Sequence, residues 1–192
     1  MKFNNNNKKS KNMASTKVVT GKVRFSYLKV FKPESITPSQ EPKYSVSVLI
    51  PKSDKKTIKK INDAINAAKE LGKSSKFNGS IPKNLRSPLR DGDIDRPEDE
   101  AYADHFFVNA SNTRKPEVVN ADLEPIISQD EINSGDYGRV SINFFPYNFE
   151  NTSKGIGASL NNIQKLEDGE ILGATIESAA SEFGDDDDDD LM

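Results

Sequence analysis

Apolar and polar positions alternate from residue 16 to residue 31, where Val23, Phe25 and Tyr27 are interleaved with Lys22, Arg24 and Ser26. That period of two is the mark of a strand with one face buried. A loop containing Pro33, Pro38 and Pro42 follows, and the alternation resumes over Lys43–Ile50 with Tyr44, Val46, Val48 and Ile50 on one face. Pro51 stops it. The period then turns helical: Ile58, Ile61, Ile65, Ala68 and Leu71 form an apolar stripe, with Ser53 as N-cap, Asp54 in the first turn and Gly72 as the closing residue. Lys55, Lys56, Lys59 and Lys60 occupy the other face, as a solvated face requires. Residues 73–103 show no period. Short strands are expected near Phe106–Ala110 and Glu117–Asn120, a long one from Tyr137 to Phe149, and one over Gly155–Leu160 extended by Ile163 and Leu166, with a turn at Asp168-Gly169.

Several strands with one clear helix predict a mainly β domain, a barrel or sandwich rather than βαβ units. The domain is expected to span 16–176. Before it lies a basic leader, 1–15, with the run Asn4–Asn7 and Lys2, Lys8, Lys9 and Lys11; after it lies an acidic tail, 177–192. Both ends are expected to be disordered.

Charge adds what periodicity cannot. The 192 residues carry a net charge of -3, and without the six aspartates Asp185, Asp186, Asp187, Asp188, Asp189 and Asp190 that becomes +3. The four leader lysines account for that excess, so the body is nearly neutral and any polyanion site on it must come from local clustering. Leu191 and Met192 close the acidic run. A polyanion ending in two apolar residues reads as a docking peptide and as a competitor for a basic groove. The chain has no cysteine and a single histidine, His105, which excludes disulfides, thiolate metal sites and thiol catalysis. No apolar run approaches the roughly 20 residues that span a bilayer, and the expected compartment is the cytoplasm.

The candidate chemistry is aromatic and basic. On the strand Tyr137–Phe149, Val140, Ile142 and Phe144 serve the core, and Tyr137, Arg139, Ser141, Asn143, Phe145 and Tyr147 face the other way. The first two strands repeat the theme with Arg24, Tyr27, Lys29 and Phe31, then Lys43 and Tyr44. Loops add Lys83, Arg86 and Arg90, and Arg114 with Lys115. Rings on which bases stack, next to cations that meet phosphates, are what a single-stranded nucleic acid needs. Asp91, Asp93 and Asp95 begin like a calcium loop, but the later ligand positions do not follow, and a charged turn is the simpler reading. No phosphate loop, nucleophile elbow or dinucleotide fingerprint is present, and no catalytic residue, metal site or cofactor is expected.

Gly21–Tyr27, Tyr44–Lys52, Pro88–Asp93, Tyr137–Tyr147 and Gly155–Leu160, in that order, resemble a family of bacteriophage single-stranded DNA-binding proteins once classed as a domain of unknown function. The similarity covers roughly residues 16–175. It implies an OB-like five-stranded β-barrel with an extra helix and a non-enzymatic function. That function is sequence-independent binding and protection of single-stranded DNA in phage replication, recombination and repair, inside the infected host cell. The tail resembles those of single-stranded DNA-binding proteins generally, which recruit replication or recombination proteins and compete with DNA; Leu191-Met192 departs from their usual phenylalanine ending. A homodimer is compatible with the chain. The rival is a protein-interaction or chaperone-like module with no DNA site, and a nuclease built on Asp91, Asp93 and Asp95 is a distant third.

Overall fold

The computed structural model describes residues 15–173. The expected tail, and the leader apart from Ser15, lie outside the described residues. The elements in chain order are β1 (Lys17–Val19), β2 (Val23–Glu34), β3 (Lys43–Pro51), α1 (Lys55–Ser75), β4 (Leu89–Asp91), α2 (Gly92–Asp95), β5 (His105–Asn112), β6 (Glu117–Val119), β7 (Tyr137–Phe149) and β8 (Ser153–Glu167), with 3-10 turns at Glu100–Tyr102 and Gln129–Glu131.

Five strands close a ring in the order β7, β2, β3, β5, β8, with β7 and β8 joined as a long antiparallel hairpin. The expected OB-like architecture is present, but the ring is irregular. β5 and β8 meet in parallel only at Ser111 and Ser159. Residues 86–91 occupy the gap: the Arg86 amide donates to the Lys154 carbonyl (3.1 Å), the Ile156 amide donates to Arg86 (3.0 Å), and β4 pairs with β5. β1 lies on the β7 edge that β2 also uses, and β6 on the β8 edge that meets β5, because the other edge of each long strand is taken up by the β7–β8 hairpin.

The inward residues of the ring, among them Phe25, Val48, Ile50, Val108, Ile142, Phe144 and Leu160, form one core, and α1 adds Ile61, Ala64, Ile65 and Ala68 to it. Removing each large aliphatic side chain from water contributes about 1.5–3 kcal/mol. Both the β7 core face of Val140, Ile142 and Phe144 and the β3 face of Val46, Val48 and Ile50 are buried as expected.

Four local expectations are corrected. The first strand is two strands, because pairing with β7 is interrupted at Thr20–Lys22 and resumes at Val23 opposite Gly138, where β2 also takes up β3. Thr20 keeps its place on β7 by exchanging hydrogen bonds with Val140, including one from the Val140 amide to its hydroxyl (3.0 Å). The N-cap of α1 is Asp54, whose carboxylate accepts the Thr57 amide (3.0 Å), rather than Ser53. The helix continues past Gly72 to Ser75. Gly72 is a packing position, since a Cβ there would sit 2.4 Å from the Phe77 ring and 2.7 Å from Pro146. Finally, the aperiodic stretch 73–103 contains β4, α2 and a 3-10 turn, which together cover the outer face of β3 and β5 with a second apolar cluster of Leu49, Tyr102 and Phe107.

Candidate nucleic-acid interface

Alternation places Tyr27 with Val23 and Phe25, facing the core. The structure puts it outside. Ser26 pairs with Ser47 and Lys29 with Ser45, so Tyr27 and Leu28 oppose the single residue Val46 in a β-bulge. Tyr27 absorbs the extra residue with φ of +47°, in the left-handed region, and its side chain is 55 % exposed. A bulky residue there costs about 1–3 kcal/mol of backbone strain and persists only where surrounding structure holds it.

Around it, a ladder of rings and guanidinium groups runs across the outer face of β2, β3 and β5. The Arg96 guanidinium lies 5.8 Å from the centre of the Tyr27 ring and 5.6 Å from that of Tyr102. Tyr102 is fully buried, donates its hydroxyl hydrogen bond to Ser47 Oγ (2.9 Å), and meets Phe107 edge to face at 5.0 Å. Arg90 covers the Phe107 ring at 5.1 Å. Beside Tyr27, a cleft is lined by Lys29, Asp99, Ser134, Leu172 and Gly173.

Other expected site residues gather at one end of the same three strands. Lys29 pairs with Glu34 (3.1 Å), and Lys43 stands opposite Glu34 in the sheet. Phe31 is half-buried with the Lys115 ammonium 5.7 Å from its ring. Tyr44 shares the inward parity of Val46 and Val48, so it sits half-buried at the mouth of the ring, opposite Asn112. Arg114 is exposed in the turn after β5, its amide held by Asn112 Oδ1 (3.1 Å). Tyr27, Lys29, Phe31, Lys43 and Arg114 therefore share one wall, with Tyr44 at its end on the inward side.

The rest do not join them. Arg86, Phe145 and Tyr147 collect on the β7–β8 hairpin. Phe145 lies over Gly157 and Tyr147 over Gly155, where an added Cβ would stand 2.5 Å from the Phe145 ring and 2.8 Å from the Tyr147 hydroxyl. Phe145 is 41 % exposed and Phe149, at the hairpin end, 64 %. Arg24 and Arg139 are committed to structure. Arg24 donates to the Gly135 and Glu170 carbonyls (3.0 and 2.9 Å), and Arg139 to the Thr20 carbonyl (3.0 Å). Residues 185–192 lie outside the described residues.

The carboxylates of the calcium-like stretch are paired with cations. Lys52 binds Asp91 (2.8 Å) and Asp93 (2.7 Å), and Arg90 binds Asp95 (3.0 Å). The hydrogen bonds that the Lys52 ammonium donates to Asp91 and Asp93 hold it above its ordinary pKa, and the Lys52 contact holds Asp93 below the usual carboxylate range. His105 Nδ1 donates to the Ala103 carbonyl at 2.7 Å. The site residues missed in the sequence are Arg96, Tyr102 and Ser47. The available signal is the tyrosine and three arginines of residues 86–102, which no period could place.

Comparison with known proteins converges on one family. The family described as Enterobacter phage Enc34, ssDNA-binding protein, matches residues 16–192. A curated relative, "Putative protein p50" of Acyrthosiphon pisum secondary endosymbiont phage 1, is 31 % identical over 175 residues, covering 88 % of this chain and 93 % of its own. The solved structure of the single-stranded DNA-binding protein from bacteriophage Enc34 in complex with ssDNA superposes with a TM-score of 0.72 at 27 % identity, over 82 % of this chain and 90 % of that one. The gp2.5 single-stranded DNA-binding protein of bacteriophage T7 shares the fold, with a TM-score of 0.58 at 14 % identity over 92 % of this chain and 97 % of its own. A match across nearly the whole described chain and a relative above 30 % identity together make this protein a member of the Enc34 phage ssDNA-binding protein family.

Proposed function

We propose that the wall formed by β2, β3 and β5 binds single-stranded DNA without reading its sequence. The observation that carries this is Tyr27, an aromatic ring displayed to solvent from a strained bulge and flanked by cations. Strain of that kind is kept where a side chain must be aimed. Bases stack on Tyr27, with Phe31 extending the platform along the wall and Tyr44 meeting the strand at the mouth of the ring. Lys29, Lys43, Arg114 and Lys115 neutralise phosphates. Arg24 and Arg139 contribute by fixing the β2–β7 seam, and the hairpin residues Arg86, Phe145 and Tyr147 form a secondary contact. The protein acts as a binder in phage DNA replication and recombination inside the host cell, as its family relationship supports.

The acidic run Asp185–Asp190 competes with DNA for this wall, and Leu191-Met192 docks replication or recombination partners. Supporting the first half, Leu172 and Gly173 line the cleft beside Tyr27 and Lys29, with the Leu172 amide bonded to Ser134 (2.9 Å). The chain from 174 onward thus begins at the cleft. Eleven residues precede Asp185, enough to reach about 36 Å. Fluorescence anisotropy of labelled oligo-dT, duplex DNA and RNA against the intact chain and a chain ending at 184 tests both ideas. Tighter oligo-dT binding by the shortened chain, with the difference shrinking as salt rises, is the expected result. Equal affinity at low salt would remove the competitor. A failure of the intact and shortened chains alike to bind oligo-dT at low salt would remove the DNA site itself.

A further inference from the structure

We infer that Arg96 is a positioning residue for single-stranded DNA, holding Tyr27 in its exposed, strained pose rather than meeting a phosphate itself. The inference rests on the reading of Tyr27 as a stacking platform and adds how that platform is made.

Three observations point there. The Arg96 guanidinium is packed near two rings at once, 5.8 Å from Tyr27 and 5.6 Å from Tyr102. Tyr102 beneath it is immobile by construction: fully buried, hydrogen-bonded to Ser47 Oγ, and set edge to face on Phe107. No ion pair among the described residues involves Arg96, although Asp95 and Asp99 are close in sequence, and Asp95 is engaged by Arg90 instead. A cation kept against aromatic faces in preference to nearby carboxylates is doing its work through those faces. The Arg96 backbone is fixed as well, its amide donating to the Gly92 carbonyl (3.0 Å) at the end of α2.

The consequence is a chain of support running from the buried cluster outward. Phe107 fixes Tyr102, Tyr102 seats Arg96, and Arg96 backs one side of Tyr27 while the ring stays 55 % exposed for a base. A planar guanidinium can lie along two rings; an ammonium is a compact, strongly hydrated point charge that cannot. Arg96→Lys therefore keeps the charge and removes the support.

The test is oligo-dT affinity across a salt series for the full chain carrying Arg96→Lys, Arg96→Gln, Tyr27→Ala, and the Arg96→Lys/Tyr27→Ala pair, with thermal melts to verify folding. The expected result for Arg96→Lys is about a fivefold loss, equivalent to a cation–π contact of roughly 1 kcal/mol. The slope of log affinity against log salt stays the same. In the Tyr27→Ala background Arg96→Lys then costs nothing further. Affinity equal to the parent in Arg96→Lys, with a slope reduced by about 0.7 in Arg96→Gln, makes Arg96 a phosphate contact and overturns the inference. Additive losses in the double variant overturn it too. If Tyr27→Ala itself leaves affinity unchanged, the wall is not the DNA site and both readings fall. A loss with Tyr27→Ala beside a silent Arg96→Lys removes the positioning role alone.

Discussion

The two aromatic regions of this ring are held in opposite ways. On the hairpin, Phe145 and Tyr147 stand in regular strand and lie on glycines across the ladder, where a ring fills the space that a missing side chain leaves. On the wall, Tyr27 stands in left-handed backbone, in a bulge, with its ring turned out of the core pattern. The hairpin rings have a sufficient structural reason to be where they are. Tyr27 instead stands in strained backbone with the Arg96 guanidinium against its ring, the contact proposed above to support it. In sequence both regions show aromatics beside arginines and lysines; backbone strain is what separates them. One segment links the two, since Arg86 lies on the hairpin side and Arg90 over Phe107 on the wall.

The comparison breaks most directly through its two exposed rings. Tyr27→Ala is expected to weaken oligo-dT binding by about 5- to 150-fold, the range that ~1–3 kcal/mol of base stacking implies. Phe145→Ala is expected to change it less than threefold, near the ~0.5 kcal/mol scale of a surface substitution. Anisotropy titrations of both variants at one salt concentration decide the order. If Phe145→Ala is the more damaging, the hairpin is the principal site and the strain at Tyr27 needs another explanation.

Much of the frame was legible because period two survives wherever a strand has one wet face. The β7 core set, the β3 core set and the amphipathic helix all follow from it. Tyr27 stands out in the sequence by its type and neighbours, yet the alternation around it places it with Val23 and Phe25. A one-residue bulge shifts every later residue of the strand to the other face, so the inward set passes from Val23 and Phe25 to Leu28 and Val30, a change of phase that unbroken alternation overlooks. Leu49 was hidden for a related reason: it lies on the outward face of β3 and is buried only because residues 89–102 fold back over it. Arg96 and Tyr102 lie in that same stretch, where contacts come from β3 and β5 and none from local pattern. Arg24 and Arg139 show the converse limit. Their types suited phosphate, but carbonyls freed at the β2–β7 seam reach them first.

The hairpin side is sharpened by Gly157→Ala. The new Cβ falls 2.5 Å from the Phe145 ring, which is partly exposed and can swing away, so the cost should lie near the lower end of the ~1–3 kcal/mol typical of overpacking. Gly138→Ala is the contrasting control. Its Cβ meets the Gln164 carbonyl oxygen at 1.9 Å, backbone that cannot step aside, and the cost should exceed that of Gly157→Ala. Urea denaturation gives both values. Oligo-dT affinity should stay within about twofold of the parent in Gly157→Ala, a change under ~0.5 kcal/mol. A larger loss would mean that the resting place of Phe145 matters to binding.

The smallest expected effect lies at the border of the wall, where Lys165 ties the buried Asp136 (3.2 Å) and Asp168 (2.6 Å) beneath the segment leading to Leu172. Burial pushes the Lys165 pKa down, but the hydrogen bonds it donates to Asp168 and Asp136 outweigh it and the net displacement is upward. A folded value raised above the unfolded one favours the folded state while lysine is protonated in both. That contribution is complete below about 10.5 and is lost as pH rises through the higher folded value. Thermal melts of the parent and Lys165→Met should therefore differ at neutral pH and converge on the alkaline side. The same substitution should leave the hairpin variants' effects unchanged, because Asp136 and Gly169 are joined on the wall side by the Gly169 amide donating to Asp136 (3.0 Å). A gap between parent and variant that persists undiminished into strong alkali would show that Lys165 acts through its packed stem rather than its charge.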